Sequence, residues 1–187
     1  MQLQRLFALV ILVLICFGFT PGNTMAIAEP TKYQFTATFT TESTGEPITT
    51  KGDVLQVHDT GESTDAPYGL TKVKNTNYAL FNPEVSNVIK VGPDPAEFGV
   101  EGKDFPPGQI TFYGAGPDKI FGTEVGTSEY DFETLVGTGS YTINITGGAG
   151  KFRGVKGILT FTEKDVLSPD PTAPIKGTWL VTGSFKK

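Results

Sequence analysis

Residues 145–157 read Ile-Thr-Gly-Gly-Ala-Gly-Lys-Phe-Arg-Gly-Val-Lys-Gly, and 158–163 continue as Ile-Leu-Thr-Phe-Thr-Glu. So much glycine in so short a stretch, with an apolar run on each side, leaves few choices of fold. A dinucleotide loop needs Gly-x-Gly-x-x-Gly opening a helix. Here Arg153 stands where the third glycine would be, and a strand-like run follows. A P-loop needs Ser or Thr after its lysine, but Lys151 precedes Phe152. A turn between two strands fits instead. Gly147 and Gly148 then supply positive φ for a tight hairpin. Gly154 and Gly157 suit a bulge or corner where a strand bends to close a sheet. Phe152 is expected to turn inward as a plug.

The flanking runs alternate as strands do. Tyr141, Ile143 and Ile145 precede the turn, Leu159 and Phe161 follow it, and Trp179, Val181 and Phe185 repeat the pattern near the C-terminus. At the other end of the chain, Tyr33, Phe35, Ala37 and Phe39 alternate with Gln34, Thr36, Thr38 and Thr40. Successive strand side chains point to opposite faces, so this first strand has one apolar face and one threonine face. Further strands are expected near 48–58, 68–81, 109–113, 119–132, 136–146, 156–164 and 175–186, punctuated by 23 Gly and 13 Pro. No long window sustains a helical repeat, so almost no helix is expected and the connections should be antiparallel. Segment 82–108, rich in proline, reads either as a lid or as a surface excursion with one short edge strand near 88–91.

The N-terminus is a targeting segment. Arg5 precedes an apolar run over 6–19, Pro21 and Gly22 interrupt it, and Ala26-Ile27-Ala28 is an Ala-x-Ala cleavage sequence. The run is short of the roughly 20 apolar residues of a membrane span. The sequence therefore predicts a signal peptide over 1–28 and a single domain over 29–187, with no stable membrane insertion after cleavage. The single cysteine, Cys16, and both methionines, Met1 and Met25, leave with the leader. What remains has no thiol chemistry and no disulfide. The full chain has a formal charge of −5, and losing Arg5 makes the mature part more acidic. That balance argues against nucleic acid as a partner. A secreted or periplasmic location is expected, with a thylakoid lumen as the alternative.

The pattern Gly147-Gly148-x-Gly150-x-Phe152-x-Gly154-x-x-Gly157 resembles the glycine signature of the allene oxide cyclase and dirigent barrels, and bacterial cyclase-like barrels most of all. The resemblance covers 136–187 well and the first half in outline. It implies an eight-stranded antiparallel closed β-barrel, often a homotrimer, with a small hydrophobic or amphipathic molecule in its lumen and no cofactor. Plant cyclases carry a glutamate and an asparagine on the first strand, before a Gly-Ser-Pro turn. Aligning that turn on Gly45, Glu46 and Pro47 places Thr38 and Thr40 at those two positions. Thr38, Thr40 and Pro47 are accordingly the expected ligand-binding residues, in a cavity open at the 45–47 end with hydroxyl-bearing, uncharged walls. No catalytic residue is assigned.

The other candidates have plainer readings. His58 is the only histidine, so no zinc pair exists, and beside Asp59 at a strand end it reads as solvated. Asp94, Glu97, Glu101 and Asp104 lack an EF-hand pattern and read as solubilising the long loop, with no metal site expected. Trp179 reads as core. Three functions remain open: binding a small molecule in the lumen, a cyclase or dirigent-type enzyme, and a structural module with no small ligand.

Overall fold

The computed structural model describes residues 30–81, 87–102, 104–170 and 172–187. The expected signal peptide at 1–28 lies outside the described residues. Among the described residues there are nine strands: β1 (Lys32–Pro47), β2 (Val54–Glu62), β3 (Lys72–Leu80), β4 (Val88–Gly92), β5 (Gln109–Tyr113), β6 (Lys119–Asp131), β7 (Val136–Ala149), β8 (Lys156–Val166) and β9 (Ile175–Lys186). The helical segments among the described residues are three short 3-10 turns, at Pro67–Gly69, Pro95–Phe98 and Gly150–Phe152.

All pairings are antiparallel and form one sheet in the order β2-β1-β9-β8-β7-β6-β4-β3-β5, with β2 also paired to β3 and β6 to β5. The ladder therefore returns to its start, and the sheet closes into a ring. Strands β4 and β5 share one place in it. Between β3 and β6, β4 pairs with 78–80 and 126–129, and β5 with 72–76 and 119–122. The strand foreseen near 88–91 thus exists but is not an edge, which corrects that expectation. It pairs with β3 through 90–92 and with β6 through 88–91, so nine strands fill eight places.

The ring interior follows from the alternation. Phe35, Ala37, Phe39 and Thr41 of β1 point inward and are buried, and Thr36, Thr38 and Thr40 point outward. One end is sealed by apolar side chains. Phe152 is completely buried, and its ring lies 5.3 Å from that of Tyr33 and 5.6 Å from that of Phe185. The expected plug is present. The hairpin chemistry differs from expectation, because Gly147 and Gly148 belong to β7 and do not have positive φ. Gly150 (φ 61°) and Gly154 (φ 82°) do. Gly157 lies close against the β9 backbone, where a Cβ would press on Phe185, and the β6–β7 register shifts between Phe121 and Gly122, where Thr146 of β7 has no partner on β6.

Candidate functional site

At the ring end opposite Phe152, the interior holds a cavity of about 190 Å³. Its mouth is formed by Gly45 from β1, Leu55 from β2, Ile89 from β4, Phe132 after β6 and Ile175 from β9. Its floor is polar. Asp59 of β2, Glu124 of β6 and Asp165 of β8 are buried there, and Glu163 of β8 is half-buried where it borders the space.

Local sequence puts these groups inside. On β8 the inward series Leu159, Phe161 continues as Glu163 and Asp165, so the same alternation that fills the core delivers two carboxyls to the cavity. The cross-strand partner of Glu163 on β7 is Gly139, and that of Asp165 on β9 is Gly177. A Cβ at Gly139 would press on the Glu163 carboxyl, and one at Gly177 on the Asp165 carboxyl. Glycine at these two positions makes room for the acids. Above the core, the Phe161 ring stacks between Tyr141 and Trp179, with both centroid distances 4.5 Å. This aromatic layer separates the apolar filling from the polar floor.

Each acid is held by neutral donors. Asn75 donates to Asp59 at 2.9 Å and to Glu124 at 3.2 Å, and Asn77 donates to Glu124 at 2.9 Å. Tyr130 donates to Asp165 at 2.8 Å. Tyr141 donates to Glu163 at 2.9 Å, and Ser128 is hydrogen-bonded to both of them. No Lys, Arg or His lines the cavity among the described residues. Burial therefore dominates the proton affinities. It raises Asp59, against the hydrogen bonds from Ser43 and Asn75. It holds Glu124 well above the carboxylate range, reinforced by the charges of Asp59 and Glu163. Burial, and then the nearby Asp165, push Glu163 up to about 7. Asp165 rises to about 6, mainly through burial. Tyr130 and Tyr141 are raised as well, first by burial and then by the adjacent acids, so both stay neutral donors. Near neutrality the floor thus contains protonated and ionised carboxyls side by side, able to donate or accept hydrogen bonds and to exchange protons.

The residues expected to bind do not meet here. Thr38 and Thr40 lie on the outer face and are exposed, and the Thr38 N–H donates to the exposed Asp65 at 2.9 Å. Their placement in a lumen is corrected. The apolar alternate face of β1 gains more from burial, so Phe35, Ala37 and Phe39 occupy the inside. Pro47 is exposed at the end of β1, while Gly45 of the same end does line the cavity. The expectation of an uncharged wall lacking any proton donor is also overturned, because four carboxyls face inward. His58 is exposed on β2, with Nδ1 3.1 Å from the Thr76 hydroxyl, and does not line the cavity, although electrostatically it lowers the proton affinity of Asp59. Trp179 is core, as expected, and wall as well. Asp94, Glu97, Glu101 and Asp104 are exposed, and no metal-holding group of His, Cys, Asp and Glu occurs among the described residues. What sequence reading missed was the extension of the β8 alternation past Phe161 and the meaning of Gly137 and Gly139 on β7 as partners of Asp165 and Glu163. No protein-family model matches the chain, and no curated protein matches it.

Proposed function

We propose that the chain is an exported binding protein, a closed barrel similar to the allene oxide cyclase barrels, that holds one small amphipathic molecule in the cavity at its 45–47 end. The observation that carries this reading is the cavity's division into an apolar mouth and a polar floor inside a ring whose other end is filled by buried apolar side chains. A guest with an apolar body and a polar group matches both parts. The volume of about 190 Å³ slightly exceeds the ~150 Å³ apolar cavity that accommodates benzene, which points to a guest of about one ring. Export rests on the leader sequence, and N-terminal sequencing of the native protein should return Glu29 as the first residue.

The test is extraction. Protein purified from its native host should release a stoichiometric small molecule, read by mass spectrometry. A variant with a filled cavity, Val57→Phe, should release none. An empty wild type would favour the structural-module reading.

A second reading, an enzyme steering ring closure or coupling, is favoured by Glu163 and Asp165. Carboxyls with proton affinities near neutrality, hydrogen-bonded to Tyr141 and Tyr130, form a general acid–base set in a secluded space. A released molecule that differs from the one supplied would decide for it.

A further inference from the structure

We propose that the guest is a small amine, bound as its ammonium ion against the carboxyl floor with its ring or short chain in the apolar mouth. This rests on the binding reading above and adds the chemistry of the guest's head group.

The first support is a cluster of buried acids with no cation among them. On the outside of the ring, acids pair with lysines: Glu62 with Lys72 at 3.0 Å and Asp118 with Lys151 at 2.9 Å. Inside, the hydrogen-bond partners of the four acids are amides, two serine hydroxyls and phenols among the described residues. A buried carboxylate without a cation is costly, and a cationic guest supplies what the wall lacks. The second support is an unsatisfied acceptor in the cavity wall. Among the described residues the Asn77 side-chain carbonyl has no partner, although Asn77 is only 1 % exposed. An ammonium N–H suits this oxygen. An ammonium also needs no fixed ligand set, whereas the acids do not gather closely enough to hold a metal ion among the described residues.

Other head groups fit less well. A carboxylate guest is repelled by every ionised acid of the floor. An alcohol can join the hydrogen bonds but leaves the charge uncompensated. Ammonium binding should also displace protons from the floor. The titratable groups facing the site are Asp59 from β2, Glu124 and Tyr130 from β6, Tyr141 from β7, and Glu163 and Asp165 from β8. Strands β1, β3 and β9 contribute uncharged Ser43, Asn75, Asn77 and Trp179. Glu163 and Asp165 lose protons between acid and neutral pH while an alkylamine keeps its own, so affinity should rise with pH.

The experiment is calorimetric titration of the intact mature protein with 2-phenylethylamine, 2-phenylethanol and phenylacetate at pH 5 and pH 8. The amine is expected to bind tightest at pH 8, to weaken about tenfold or more at pH 5, and to release protons, read as a dependence of the heat on buffer ionisation. Phenylacetate should not bind. The variant carrying Glu163→Gln and Asp165→Asn should lose amine affinity by about 30-fold or more while melting no lower than the parent. An alcohol that binds as tightly as the amine, or amine affinity equal at both pH values, overturns the ammonium reading and leaves the binding site standing. If none of the three compounds binds, the cavity-binding reading fails too.

Discussion

At the Phe152 end of the ring, inward positions carry Phe35, Phe112, Ile143 and Phe185, all buried, and the rings of Tyr33 and Phe152 cover them. At the 45–47 end, inward positions of β2, β6 and β8 carry Asp59, Glu124, Glu163 and Asp165 around a cavity. The backbone pairing is continuous through both ends, so the strand pattern does not distinguish them. The side chains do. One end gains stability from apolar burial, and the other keeps groups whose burial is unfavourable. On the proposed reading, the open end keeps them because they hold a guest.

The largest expected effect lies at the sealed end. Phe152→Ala removes the plug and should destabilise the fold by about 3–5 kcal/mol in denaturant titration. A loss under 1 kcal/mol would mean the turn is a surface feature and the two ends are less different than described.

Next comes the response to pH, which belongs to the open end. The interior acids bind protons more tightly in the folded chain than in the unfolded one, where carboxyls titrate near about 4. Folding therefore takes up protons. The resulting stabilisation is complete below the unfolded range and is lost as pH rises through about 6 for Asp165 and about 7 for Glu163. The exposed Asp65 and Asp131, whose proton affinities are lowered by hydrogen bonds, act with the opposite sign in more acidic solution. Stability of the empty protein should thus fall by on the order of 3 kcal/mol between pH 5 and pH 8. A flat profile over this range would show that the interior acids are solvated.

Glu163→Gln sharpens the same point. It keeps an acceptor for the Tyr141 hydroxyl and removes a buried charge, so it should stabilise the empty protein at pH 8 by roughly 1–3 kcal/mol and reduce the pH dependence. Destabilisation at pH 8 would show that the charge itself is structural.

The first-strand threonines should matter least. Thr38→Leu and Thr40→Leu change outward positions and should each shift stability by no more than about 0.5 kcal/mol, with guest binding unchanged. Lost binding in either variant would return the site to the outer face of β1.

The difference between the two ends also explains what was legible in the sequence. Apolar alternation is a strong signal, so most strands and the Phe152 plug were readable, and so were the two faces of β1. Which face turns inward follows from burying Phe35, Ala37 and Phe39. Aligning Thr38 and Thr40 with cyclase positions pointed the other way. The acidic floor is hard to see because its members are scattered over β2, β6 and β8 and meet only when the ring closes. Polar residues in a strand ordinarily mark its solvent face. Only their phase reveals Glu163 and Asp165: they fall in step with Leu159 and Phe161, not with Thr160 and Thr162. The double role of β4 and β5 was equally hidden, since two short strands sharing one place leave no local trace in sequence.

The claim that the open end is a binding site has a direct optical test. Trp179 is the only tryptophan in the chain and lies in the cavity wall. Titrating the protein with 2-phenylethylamine at pH 8 should change its emission saturably, with a midpoint equal to the calorimetric Kd, and Val57→Phe should abolish both signals. Calorimetric saturation with unchanged Trp179 emission would place the guest elsewhere and contradict the account.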